Sequence, residues 1–331
     1  MVNTCTARAL LFLILFFGKK MKYKGAEFGI TAIALSLILA ICCVGQWMNQ
    51  VDNASDNYKK NTPYETEEKY SETSSQVLEE NASAEPIEVA SAEQMNIYAA
   101  GEESGYEAVA VDAVIERFTW WETGGKKFQV GIMVDGLAVM MLFVVTVISL
   151  LVHIYSTDYV SGDRRYTHYF AFLSLFSASM LFFVLSENIL QTIVGWELVG
   201  VCSFALIGHW WEEKPNSDAA LKAFLTNRVG DMGLLVGMII LFWSAGSWSI
   251  VDINVAAINN EIGKTTLLIA SLCLTAAVMS KSGQFILHTW LPDAMAGPTP
   301  VSALIHAATM VVAGIYICLL YTSPSPRDTN E

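Results

Sequence analysis

Apolar residues along this chain come in long unbroken runs, not in the short periodic stripes of a water-soluble helix or strand. Eight runs stand out, at 7–17, 28–48, 134–155, 169–186, 189–208, 219–244, 265–288 and 300–320. About 20 residues at a rise of 1.5 Å cross the hydrocarbon core of a bilayer. The pattern therefore predicts an all-α membrane protein, a multi-pass helix bundle of about eight spans whose first partner is the lipid bilayer. The first run is short for a span, and the lysines that follow it stand in the wrong order for a signal peptide. Met21 is an alternative start, with Lys22 and Lys24 leading a signal-anchor helix.

Polar segments between the runs set the organisation. Residues 1–48 form amino-terminal transmembrane helices. Residues 49–127 read as an insert rich in Glu, Ser, Asn and Thr, with too few apolar groups to offset its chain entropy, hence disordered or weakly helical. Residues 128–320 carry the remaining helices, and 321–331 is a polar, proline-containing tail that belongs to no visible element and reads as a truncation. Lys19, Lys20, Lys22 and Lys24, then Arg164 and Arg165, then Lys214 and Lys222, put alternate loops in the cytoplasm. The insert then lies outside it, closed by "FTWWETGGKKFQVGIMVDG", with Trp120 and Trp121 marking the membrane interface.

Composition supports this class. The chain is 53% hydrophobic and 15% charged, against about 25% charged in soluble domains. Its formal net charge of −13 is mostly local: between Asn49 and Lys127 seventeen Asp/Glu face six Lys/Arg, a balance of −11. That acidity says nothing about a substrate, and no nucleic-acid partner is expected. Six cysteines lie in or beside apolar runs with no C-x-x-C pair and no His at metal spacing. They read as small hydrophobes; no metal or cofactor ligand set is predicted.

Candidate chemistry lies where charge is most costly. Glu197, Arg228, Asp231 and Lys281 fall well inside predicted spans. Each Asp, Lys or Arg at a helix centre costs about 2.5–3.5 kcal/mol on insertion scales, while a Leu or Ile returns about 0.3–0.6. Such groups must face protein or water, pair together, or be partly neutral. Glu197, flanked by Gly195 and Gly200, is either half of a structural ion pair or a proton carrier. Arg228 and Asp231, at i and i+3 on one helix face, either offset one another or set the field at Glu197. Lys281, with Ser280, Ser282 and Gly283 beside it, is expected at a helix break whose backbone the hydroxyls can satisfy. A buried lysine, unlike an arginine, can lose and regain its proton. His288 stands seven residues on, about 10 Å along the same face if the helix continues. Pro298 and Pro300 start a further helix, on which Ser302, His306 and Thr309 make a polar stripe. His306 and His288 are candidate relays; His153, His168 and His209 sit near span ends and read as interfacial.

The segments "VGWELVGVCSFALIG", "KAFLTNRVGDMG" and "KSGQFILHTWLPDAMAGPTPVSALIHAATMVVAGIY" closely resemble the antiporter-like subunit L of NADH-quinone oxidoreductase, the counterpart of mitochondrial NADH dehydrogenase subunit 5. The likeness runs from about Phe128 to Tyr316. It implies a fold of two inverted five-helix repeats, of which this chain supplies the first. It also implies a mid-span glutamate at Glu197, a broken-helix lysine at Lys281, a histidine connector at His306, and modulating charges at Arg228 and Asp231. The activity implied is proton translocation as one membrane subunit of a respiratory complex. NADH, FMN, iron–sulfur clusters and quinone would all be held by other subunits, and no cofactor by this chain. The expected home is the bacterial inner (plasma) membrane in preference to the mitochondrial one. Two rivals are a subunit of a multisubunit cation/proton antiporter, and a membrane anchor that presents the acidic insert to a partner.

Overall fold

The computed structural model describes residues 25–61, 113–123, 126–307 and 309–320. The run at 7–17, most of the acidic insert and the tail lie outside these residues. The chain divides into two compact units, one of Met1–Val44 with Ala113–Glu331 and one of Gly45–Asp112. Of the second, the described part is the end of α1 (Ala26–Asn61).

In the first unit the helices follow the apolar runs. They are the start of α1, α2 (Gly136–Tyr159), α3 (Tyr166–Val184), α4 (Ile189–Ile207), α5 (Lys214–Ala245), the short α6 (Ile250–Ile258), α7 (Lys264–Lys281), α8 (Trp290–Asp293), α9 (Thr299–Ala307) and α10 (Met310–Leu320). Among the described residues seven segments are long and apolar enough to cross a membrane, matching seven of the expected runs. Their ends carry standard signals. Asp135 caps α2 by accepting from the Ala138 amide at 2.6 Å, and Asn188 caps α4 through the Gln191 amide at 2.7 Å. Pro215 lies in the first turn of α5, which stops at Gly246 with φ 71°.

Burial is arranged for lipid. Along α5, Leu221, Leu225, Val229, Met232, Val236 and Trp243 are exposed, forming an apolar stripe not covered by the described residues. Its opposite face packs on α7 through small residues. A methyl group on Gly233 would stand 2.5 Å from the Cys273 carbonyl oxygen, and one on Gly237 3.2 Å from that of Ala270. Lipid tails supply no hydrophobic drive between helices, so close van der Waals approach must hold the pair together. This seam sets Asp231 of α5 against the end of α7.

The all-α expectation fails at one place. Val114–Thr123 (β1) and Lys126–Val134 (β2) form an antiparallel hairpin across the boundary expected at 127/128. The segment is rich in Val, Ile, Phe and Trp, residues that favour strands, and its pairing runs up to Thr123 and Lys126. It is too short and polar to register among the spans, and the expected boundary falls within its second strand. A bulge between Thr119 and Trp121 leaves Trp120 as the extra residue, and Trp120 and Trp121 are exposed. The hairpin is bonded over the α3–α4 connection. Arg117 Nε donates to Glu187 Oε1 at 2.8 Å and Arg117 Nη2 to Ser249 Oγ at 2.9 Å. Asn188 Nδ2 donates to the Gln129 carbonyl at 2.7 Å, and the Met133 amide to the Leu185 carbonyl at 3.2 Å.

Replacing Gly233 by Val forces a branched side chain into the α5–α7 seam, where overpacking costs about 1–3 kcal/mol. The expected result is a lower midpoint for detergent-induced unfolding in micelles; an unchanged midpoint would show that the seam is looser than its geometry.

Candidate functional site

Two glycines and one tryptophan build the centre. Gly195 lets α4 press on the backbone of α3, since a methyl group there would stand 2.8 Å from Phe183 Cα. This close approach turns Trp196 inward, 1% exposed, and leaves Glu197 on the neighbouring face. At Gly200, one turn on, a Cβ would stand 2.9 Å from Lys281 Nζ. The lysine is therefore seated where α4 has no side chain.

Lys281 is 1% exposed and ends α7. Its ammonium donates to the Trp196 carbonyl at 3.4 Å and lies 5.1 Å from the centroid of the Trp196 ring, within cation–π range. Trp196 Nε1 donates to Asp231 Oδ1 at 2.6 Å. Arg228 is in ion-pair contact with Glu197 and lies 3.8 Å from Asp231. Glu197, Arg228 and Asp231 line one side of a cavity of about 490 Å³ whose rim is apolar, with Leu225, Val229 and Met232. The structure thus gathers Glu197, Arg228, Asp231 and Lys281 into one cluster, with Asp231 and Lys281 buried and Glu197 and Arg228 partly exposed. Around the buried pair the effective dielectric is low and the interaction is correspondingly strong.

Helix α7 stops at the lysine. Gly283 takes φ 59° and Ile286 φ 81°, and the chain resumes only at the short α8. The continuous helix that would align His288 with Lys281 is therefore absent. His288 is exposed in the loop beyond the break, so the alignment expected only of a continuous helix does not occur. His306, in α9, is half-buried, and neither of its ring nitrogens has a hydrogen-bond partner among the described residues. Trp290 links its surroundings to the lysine: the ring lies 6.2 Å from His306, and Nε1 donates to the Ser280 carbonyl at 2.9 Å. The polar stripe of Ser302, His306 and Thr309 is split where α9 ends, and Thr309 instead donates to the Leu304 carbonyl at 2.8 Å.

Sequence reasoning missed Trp196, although a lipid-embedded indole N–H needs an acceptor and its neighbour is the mid-span Glu197. It also read His153 as interfacial. His153 is fully buried, with Nδ1 2.8 Å from the Ser149 carbonyl and Nε2 3.3 Å from Ser174 Oγ. Ser149, His153 and Ser156 repeat the i, i+4, i+7 spacing noticed at Ser302, and that spacing was the available signal. His209 is buried too, beyond the end of α4, bonded to Asp163 Oδ2 at 3.3 Å beside Trp210, which donates to the same oxygen at 2.9 Å. Burial lowers the proton affinity of His209, and Asp163 only partly opposes this. Near neutral pH the contact is thus a hydrogen bond from a neutral imidazole. Burial raises the affinity of the Asp163 carboxyl, but the Arg165 amide, Trp210 and His209 outweigh it, so the net value is below the usual range.

Both shifts favour the folded state at higher pH. The neutral His209 contributes stability that is present above its unfolded value of 6.5 and is lost as pH falls below it. Asp163 adds a loss in the same direction at lower pH. Thermal stability in detergent should therefore fall on acidification from neutrality, less steeply in His209→Gln; equal slopes would remove His209 from the account.

Comparisons with known proteins agree with this picture. Residues 120–170 match the family described as NADH-ubiquinone oxidoreductase (complex I), chain 5 N-terminus, and residues 186–330 match NADH:quinone oxidoreductase/Mrp antiporter, transmembrane. A chloroplastic NAD(P)H-quinone oxidoreductase subunit 5 from Physcomitrium patens is 47% identical over 212 residues, covering 62% of this chain and 29% of that protein. Chain 5 from a Picosynechococcus strain is 45% identical over 205 residues, 60% of this chain and 30% of that one. This chain thus spans less than a third of the length of these relatives. Among solved structures, the Mrp complex from Dietzia sp. aligns with TM-score 0.58 and 30% identity over 62% of this chain and 22% of that one. An archaeal membrane-bound sulfane sulfur reductase shares the fold, with TM-score 0.63 and 15% identity over 96% of this chain and 51% of that one.

Proposed function

We propose, from the premise that this multi-pass membrane chain belongs to the antiporter-like subunit 5 family of NAD(P)H:quinone oxidoreductases, that it takes part in moving protons across the membrane in such a complex. In this reading, redox energy reaches the chain from partner membrane subunits. Flavin, iron–sulfur clusters and the quinone site belong to those partners. The chain's own residues hold and pass protons. The observation that carries the proposal is the seating of Lys281: a titratable amine, buried inside a lipid-facing bundle at a helix break, next to Asp231 and the Glu197–Arg228 pair.

The mechanism follows from the electrostatics. Protonated Lys281 is held by the Trp196 carbonyl and ring and by the field of Asp231. Movement of Arg228 between Glu197 and Asp231 changes that field, because an arginine closer to Asp231 neutralises the carboxylate that favours the ammonium. Lys281 then releases its proton toward His306, whose unpartnered nitrogens offer an acceptor. One charge moved against 100 mV costs about 2.3 kcal/mol. A charge-assisted hydrogen bond is worth about 1.5–3 kcal/mol, so rearranging one or two suffices. His288 does not contact Lys281 in this scheme; exposed in the loop, it would exchange protons with water at the mouth of the path.

Orientation follows the positive loops, with the Asp163–His209 end in the cytoplasm and the hairpin outside. A plasma or thylakoid membrane suits the cyanobacterial relative, and an organellar one the chloroplast relatives. The inverted second repeat and an extracytoplasmic role for the acidic insert belong to the same proposal. The likeness to the Mrp complex favours a second reading, cation/proton exchange without redox coupling; sodium-dependent proton movement in vesicles would support it.

Lys281→Met in the full-length subunit is the direct test. Quinone-coupled acidification of inverted vesicles should be lost or strongly reduced while the complex still assembles. Unaltered pumping would end the proposal.

A further inference from the structure

We propose that Trp196 is a positioning residue that holds the Asp231 carboxylate apart from the Lys281 ammonium, leaving the lysine free to release its proton. This rests on the proton-transfer reading above. One residue serves both charges, through its side chain and its backbone. Its indole N–H donates to Asp231 Oδ1 at 2.6 Å, its carbonyl accepts from Lys281 at 3.4 Å, and its ring lies 5.1 Å from the ammonium. Among the described residues the ion pair of Asp231 is with Arg228, at 3.8 Å, and not with Lys281.

The consequence is electrostatic. In a low-dielectric site a carboxylate in direct contact with an ammonium would bind it strongly and would be left unpaired when the lysine lost its proton. A carbonyl and a ring face attract the ammonium more weakly and leave no bare charge behind. Asp231 stays satisfied in both states, by the indole N–H and by Arg228. The other groups around the ammonium do not substitute for this. Gly200 has no side chain, and Ser280 Oγ donates to the Ala277 carbonyl at 2.8 Å. Glu197 is occupied by Arg228. The indole is itself fixed, packed at 5.8 Å from the Phe183 ring and anchored by the α3–α4 contact at Gly195.

Trp196→Phe keeps the ring face and most of the bulk but removes the N–H. In the full-length subunit, within the assembled complex in vesicles, protons moved per quinone reduced should fall roughly tenfold, the scale of one charge-assisted hydrogen bond. The loss should be much smaller when the same change is made on an Asp231→Asn background, where no carboxylate is left to collapse onto the lysine. Equal losses in both backgrounds, or none, would overturn the role and leave the indole as packing. A second readout does not need transport. The infrared carboxylate band that disappears in Asp231→Asn should shift in Trp196→Phe; an unmoved band overturns the proposal. Pumping that survives Lys281→Met sinks the proton-transfer reading itself. An unmoved band where Lys281→Met abolishes pumping sinks only the positioning role, so the two failures are told apart.

Discussion

The structure is organised around the burial of a single ammonium group. Placing a charge in a bilayer-spanning bundle is so unfavourable that it persists only where the surroundings are built for it. Here four features share that task. Helix α7 ends at Lys281, so the negative end of its dipole faces the cation. Gly200 clears the space for the ammonium, Trp196 supplies a carbonyl and a ring face, and Asp231 supplies a carboxylate at one remove. Each depends on helix packing, and that packing depends on glycine. Without the Gly233 and Gly237 seam α5 would stand away from α7, and without Gly195 α4 would stand away from α3.

The two ends of the bundle keep these approaches in register. On one side the hairpin pins the α3–α4 connection through Arg117, Glu187 and Asn188. On the other, His209 and Trp210 converge on Asp163, tying the loop after α2 to the end of α4. Helix α4 is thus held at both ends, and its middle carries Trp196, Glu197 and Gly200. Arg228 already lies near both Glu197 and Asp231, so the change of partner in the proposed scheme would need only a small side-chain movement.

Much of this was legible in the sequence, for a physical reason. Lipid demands long apolar runs, so the spans declared themselves, and it penalises charge, so Glu197, Arg228, Asp231 and Lys281 stood out. Small residues next to Lys281 announced the helix break. What stayed hidden depends on partners distant in sequence. Arg117 and Glu187 lie seventy positions apart and meet only because the hairpin folds back over the bundle. Trp196 looked like one more apolar residue in a span, and its importance lies in the acceptor that α5 brings to it. The course of the chain beyond that break was not legible, because left-handed backbone at Gly283 and Ile286 redirects it toward an exposed His288, a choice that no apolar run encodes.

Two histidines show why pattern alone does not assign a role. His153 and His306 both sit in stripes of hydroxyl residues at helical spacing. The first is enclosed by α2 and α3 and bonded at both nitrogens, to a carbonyl and a serine, and so acts as glue between helices. The second follows the α7 break, where the backbone no longer supplies neighbours at regular spacing, and neither nitrogen has a hydrogen-bond partner among the described residues. A buried polar group without a partner carries a standing penalty of about 1–3 kcal/mol, removed whenever a proton, a water or a neighbouring side chain reaches it. Under the proposed proton-transfer reading, this unmet hydrogen bonding is what would let His306 accept a proton. The same sequence pattern thus yields a satisfied histidine where the bundle supplies partners and an unsatisfied one where the helix is broken.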